Sequence, residues 1–119
     1  MSRTKSALAL LLLLLAAGCG SSGDTADPLA RGERIYRTYC LGCHSLDPAG
    51  PDAGGPTTAA MLARAGQQGD PAAWLRLQIV SPNAEAAPGH QAGLMPPTYG
   101  DTFEPAELDA LVEYLLAQG

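Results

Sequence analysis

The sequence predicts an all-helical domain: three main helices and one short helical turn, joined by long loops. Three observations carry this. Apolar residues recur at helical spacing in three stretches, two opened by Asp-Pro and the third by Glu-Pro. No run shows the strict apolar–polar alternation of a half-buried strand. Proline and glycine crowd two further segments, 47–58 and 82–101, where neither helix nor strand can continue.

The chain begins outside that domain. Arg3 and Lys5 form a basic start, and Leu8 to Leu15 is an almost unbroken apolar run ending in Ala16, Ala17 and Gly18 before Cys19. Residues 1–18 read as a secretory signal peptide, too short to span a membrane comfortably. Its ending resembles a bacterial lipoprotein signal, in which cleavage falls before a cysteine that receives lipid; Ala16 stands where Leu is usual. Residues 19–28, rich in Gly and Ser, read as a lipid-anchored flexible tether. The protein is then exported and held at the bacterial cell membrane, facing the periplasm or extracytoplasmic side. Residues 29–119 form the domain.

Asp27 is a good N-cap and Pro28 a good first helical residue, since its missing N–H costs nothing there. The first helix runs from Leu29 to about Thr38, with Ile35 and Tyr36 as apolar anchors. Gly32 is out of place, because a helix-interior glycine costs about 1 kcal/mol relative to alanine; a close helix crossing would explain it. Ala59 to Ala65 is a short Ala-rich helical turn. Asp70-Pro71 repeats the cap-plus-proline signal and starts a helix through Trp74, Leu75, Leu77 and Ile79 to about Val80, which Ser81-Pro82 ends. Residues 82–101 form a loop long enough to suggest a functional role. The last helix opens at Pro105, with Glu104 at the N-cap, a weaker cap than Ser, Thr or Asp. It carries Leu108, Leu111, Val112, Leu115 and Leu116 at helical spacing.

The first helix leads into Cys40-Leu41-Gly42-Cys43-His44, the arrangement of a c-type haem attachment site. Two thiols one helical turn apart can each add to a vinyl group on one edge of a porphyrin, and the next residue offers an imidazole nitrogen to the iron. A Cys-x-x-Cys pair alone also suits thioredoxin-like or zinc sites. The appended histidine, the export signal and the lack of a second cysteine pair favour one covalently bound haem c. Cys19 is the odd thiol, and lipidation removes it. A metal-bound histidine normally gives its other ring N–H to a carbonyl; Pro56 is the candidate, with Pro51 the alternative. Trp74 is a further expected haem contact.

Haem iron held by one histidine keeps a face open, and the group filling it separates electron transfer from ligand chemistry. Met95, Met61 and His90 are the candidates. Met95 lies in Gly93-Leu94-Met95-Pro96-Pro97, where two prolines restrict the backbone and can hold the thioether at the iron. Met61 reads as packing or a neighbour of the haem edge. His90, after Pro88-Gly89, is expected to be solvated.

The formal net charge is −5, and removal of residues 1–18 makes the chain more acidic, since Arg3 and Lys5 go while every Asp and Glu stays. Lys5 is the sole lysine. A nucleic-acid partner is excluded by this balance, because phosphate binding wants a basic surface. So is docking through a ring of lysines. A partner must meet Arg31, Arg34, Arg37, Arg64 or Arg76, an apolar patch, or the acidic surface. A domain of about a hundred residues is marginal alone, so the haem is expected to serve as the centre of its core.

These residues together resemble monohaem cytochrome c domains with His and Met as axial ligands, over about Ala30 to Ala117. The resemblance implies the cytochrome c fold, with His44 as proximal and Met95 as distal iron ligand. It also implies a crossing of the first and last helices near a glycine and an aromatic residue, roles that fall to Gly32 and Tyr114, with Leu111 nearby. The stretch from Ile79 through Pro88-Gly89-His90 to Met95-Pro96-Pro97 is similar to the haem domain fused to subunit II of some bacterial haem-copper oxidases; His90 stands where that family has Tyr. This implies a single-electron carrier rather than an enzyme. Membrane respiratory complexes would be donor and acceptor, a terminal oxidase the expected acceptor, and no small molecule a substrate. Two other readings are a fixed haem subunit of a larger membrane complex, and a gas sensor or peroxidase-like enzyme with a displaceable sixth ligand. The latter needs a loose Met95 and a polar distal group such as His90, yet no second acid–base residue groups with His90.

Overall fold

Helix α1, Pro28–Tyr39, starts where Asp27 Oδ1 accepts the Leu29 N–H at 3.0 Å. In the computed structural model the described residues are 27–51 and 53–119. The signal peptide, Cys19 and most of the tether lie outside them. Helix α2, Thr58–Ala65, opens with Thr57 Oγ1 accepting the Ala60 N–H. It covers the Ala59–Ala65 stretch expected to be helical and starts one residue earlier, where the Thr57 cap sets its beginning. Helix α3, Pro71–Val80, is capped by Asp70, whose side chain accepts the Ala73 N–H at 3.0 Å.

After the long loop comes a short helix that the sequence pattern misses, α4, Tyr99–Thr102. Residues 99–101 were expected to be irregular, and four residues are too few to display a period. Helix α5, Pro105–Leu116, closes the order. Its N-cap is stronger than Glu104 alone suggests, because the Glu107 carboxylate reaches back to accept the Glu104 N–H at 3.0 Å, half of a capping box. Among the described residues the secondary structure is helical throughout, in agreement with the expected all-α class.

The core forms where α1 packs on α5 and α3 packs on α5 as well. Ile35 and Tyr36 from α1 meet Leu108, Leu111, Val112, Tyr114 and Leu115 from α5, joined by Leu75, Ile79 and Phe103. The Tyr36 and Tyr114 rings lie 5.6 Å apart, tilted by 47°. Gly32 sits at the crossing: a Cβ there would run into the Ala110 carbonyl and stand 2.6 Å from Tyr114 Cβ. The expected Gly32–Tyr114 approach is present, and the Ala110 backbone is the other close neighbour. Leu116, expected on the apolar stripe, is 39 % exposed, because the stripe turns away from the core at the helix end.

Candidate cofactor site

Past Tyr39 the chain tightens into one turn. The N–H groups of Cys43 and His44 both donate to the Cys40 carbonyl, at 3.0 and 2.9 Å. This brings both thiols and the imidazole to one edge of the helix pair. The turn is tied down from below by Tyr36, whose hydroxyl donates to the His44 carbonyl at 2.6 Å and accepts from Thr58 Oγ1 at 2.5 Å. Thr58 also gives its backbone N–H to the Ser45 carbonyl at 2.8 Å. The start of α2 is thus stitched to the Cys-x-x-Cys-His turn. The sequence marks Tyr36 only as an apolar anchor and gives no sign of Thr58, since nothing local marks a bond spanning 22 positions.

Burial pushes the Tyr36 pKa above that of a free tyrosine, 10.0, the Thr58 hydrogen bond pulling the other way. A raised folded-state pKa gives stability that is complete below about pH 10, where the unfolded chain would ionise, and lost as pH rises through the folded-state value. Tyr36→Phe should flatten that alkaline loss and lower stability at neutral pH by about 1–3 kcal/mol, since it strips a partner from two polar groups. Denaturant melts of the holoprotein at pH 7 and pH 10.5 check both effects.

His44 is 9 % exposed. Its Nδ1–H donates to the Pro56 carbonyl at 2.8 Å, which leaves Nε2 as the nitrogen able to coordinate. Pro51, the alternative source, does not make this bond. Burial lowers the His44 pKa, with the Pro56 bond opposing and His90 adding to the fall. The ring is cradled by the Gly54–Gly55 turn. Gly54 has a φ of +125°, and a Cβ on Gly55 would stand 2.5 Å from His44 Cε1 and 2.8 Å from Nδ1. Only glycine leaves room for the imidazole there.

Cys40, Cys43 and His44 open on a largely apolar cavity of about 460 Å³, with Pro56, Trp74 and Met95 also in its wall. His44 and Met95 share a second, smaller void of about 30 Å³ against Leu111. Neither cysteine is drawn into a disulfide; before attachment, burial and then Cys43 push the Cys40 thiol up to about 11. The Arg64 guanidinium lies over the Trp74 ring at 5.2 Å and pairs with Glu85 at 2.6 Å. Met61 lines the cavity as well. His90 departs from expectation: it is in the cavity wall with its Nε2 shielded from solvent. At this turn Gly89 has a φ of +78°, and His90 Nδ1 lies 3.0 Å from the Pro88 carbonyl.

The donor set fits haem c. Two thiols and a carbonyl-oriented imidazole stand on one edge, a thioether is in the wall, and the lining is apolar and of cofactor size. A zinc knuckle fits less well, because among the described residues no three or more His, Cys, Asp or Glu side chains converge as a metal-ion site. A protein-family model described as Cytochrome c matches residues 29–118. The chain belongs to the cytochrome c family. As a cytochrome c domain it binds haem c covalently, with its iron, and its chemistry is electron transfer through that haem. Searches of curated proteins and of solved structures found no match.

Proposed function

We propose that this cytochrome c is a membrane-anchored single-electron carrier. Cys40 and Cys43 hold the haem by thioether bonds, His44 Nε2 is the proximal iron ligand and Met95 the distal one. The observation that carries this reading is that His44, oriented through Nδ1 by Pro56, shares its cavity with both thiols and with Met95. The haem iron supplies the reversible one-electron step. The chain's own residues make that step easy. The Pro56 carbonyl and the Gly55 backbone hold the imidazole in one orientation, and the Tyr36–Thr58 network holds the turn that carries it. Little then has to rearrange on transfer. Apolar walls exclude water and disfavour the more highly charged oxidised state, while thioether ligation favours the reduced one, so both raise the potential.

A partner docks at the cavity mouth through apolar contact. Leu94, 57 % exposed, and Tyr39, 49 % exposed, border the cavity. Arg31, Arg37, Arg64 and Arg76 already sit against carboxylates, which leaves them less suited to lead docking. The carrier meets a respiratory donor complex and passes its electron toward a terminal oxidase. A lipid on Cys19 keeps it at the membrane and raises the effective concentration of those partners.

Reduced holoprotein mixed in stopped flow with vesicles carrying a terminal oxidase should reoxidise at a rate that follows vesicle concentration. Reoxidation by oxygen at the same rate without vesicles would favour ligand chemistry instead. Cys19→Ser, expressed with its own N-terminus, should move the haem-stained protein from the membrane to the soluble fraction; retention in the membrane would contradict the lipid anchor.

A further inference from the structure

Two histidines line the haem cavity, and both are held in the same way. His44 Nδ1 lies 2.8 Å from the Pro56 carbonyl, and His90 Nδ1 lies 3.0 Å from the Pro88 carbonyl. In each case the carbonyl can only accept, so Nδ1 carries the proton and donates it as a hydrogen bond, and Nε2 keeps the lone pair. The His90 Nε2 is shielded from solvent although the residue as a whole is only partly buried. The loop joining α3 to α4 thus brings two potential iron donors to one cavity, His90 and Met95, five positions apart. Gly89 and Gly93, at φ +78° and +85°, stand on either side of His90 and give the backbone turns that a side-chain-bearing residue would resist.

We propose that His90 is a reserve axial ligand, taking the distal position of the iron through Nε2 when the Met95 thioether leaves it. The exchange balances: the sulfur–iron bond breaks, a nitrogen–iron bond forms, both donors are neutral, and no electron or proton moves. Ferric iron is harder than ferrous iron and prefers imidazole nitrogen to thioether sulfur, so the exchange is favoured in the oxidised protein. Its consequence is protective. A carrier that loses its sulfur ligand keeps a filled sixth position and does not become a site for small gaseous ligands.

This inference rests on the assignment of Met95 as the resident ligand, and one set of holoproteins separates the two: wild type, Met95→Ala, and Met95→Ala with His90→Ala. The wild type should show the weak long-wavelength ferric band of sulfur–iron ligation. Met95→Ala should lose that band yet stay low-spin by electron paramagnetic resonance, with two nitrogen ligands, and its ferrous form should take up carbon monoxide slowly. The double variant should be high-spin and bind carbon monoxide at once, and added imidazole should restore the low-spin signal. If Met95→Ala is already high-spin and as open as the double variant, the reserve role is wrong while the Met95 assignment stands. If the wild type lacks the sulfur band, the Met95 assignment itself falls, and the reserve role with it. Met95→Leu, which keeps the volume but offers no lone pair, gives the same comparison should the alanine variants be poorly folded.

Discussion

Replacing Gly32 by valine should destabilise the holoprotein by about 3 kcal/mol or more, at the upper end of what overpacking costs. The position is inside α1, where helix propensity argues the other way: alanine would gain about 1 kcal/mol over glycine if nothing faced it. What faces it is backbone. A Cβ would run into the Ala110 carbonyl and stand 2.6 Å from Tyr114 Cβ. A carbonyl inside a helix cannot swing aside as a long side chain can, so α1 and α5 must separate. That separation would loosen Tyr36 from Tyr114, and with it the hydroxyl that holds the His44 carbonyl. Gly32→Ala should also lose stability, by less than valine. Denaturant unfolding followed by circular dichroism and by the haem band decides the matter, and a stabilised Gly32→Ala would show that the crossing is not tight.

Met95→Ala should have the largest effect on function. The ferric sulfur–iron band should vanish, and the midpoint potential should fall by on the order of 0.1–0.2 V, a fraction of the roughly 0.8 V over which axial ligands tune haem. The direction follows from ligand chemistry: a thioether stabilises ferrous iron better than a nitrogen donor or water does. The structural cost should be smaller, because Met95 is only partly buried at the edge of the core. Potentiometric titration beside a thermal melt separates the two effects. An unchanged potential would remove Met95 from the iron.

Much of this architecture is written locally. Asp27-Pro28 and Asp70-Pro71 announce α1 and α3 because cap and first-turn chemistry are properties of neighbouring residues. Gly32 was informative for the opposite reason: a residue that local propensity disfavours points to a long-range contact, here the α5 backbone. The candidate site was legible in the Cys40, Cys43 and His44 spacing, since attachment chemistry fixes residue types at fixed intervals, whereas Pro56 was one of two carbonyls the sequence offered to His44 and the structure selects it. Other features depend on which distant parts of the chain meet. The Tyr36–Thr58 pair, the Gly55 cradle under His44 and the place of His90 in the cavity wall have no local signature. Helix α4 escaped for a different reason, being shorter than the period that would reveal it.

In the proposed carrier His44 and Met95 together close the iron, which is then six-coordinate. Optical spectra of the purified wild-type holoprotein, oxidised and reduced, with and without carbon monoxide, test this ligation most directly. A weak ferric band at long wavelength is expected, with no prompt change of the reduced spectrum under carbon monoxide. A prompt carbon monoxide shift would mean an open sixth position and would contradict that ligation.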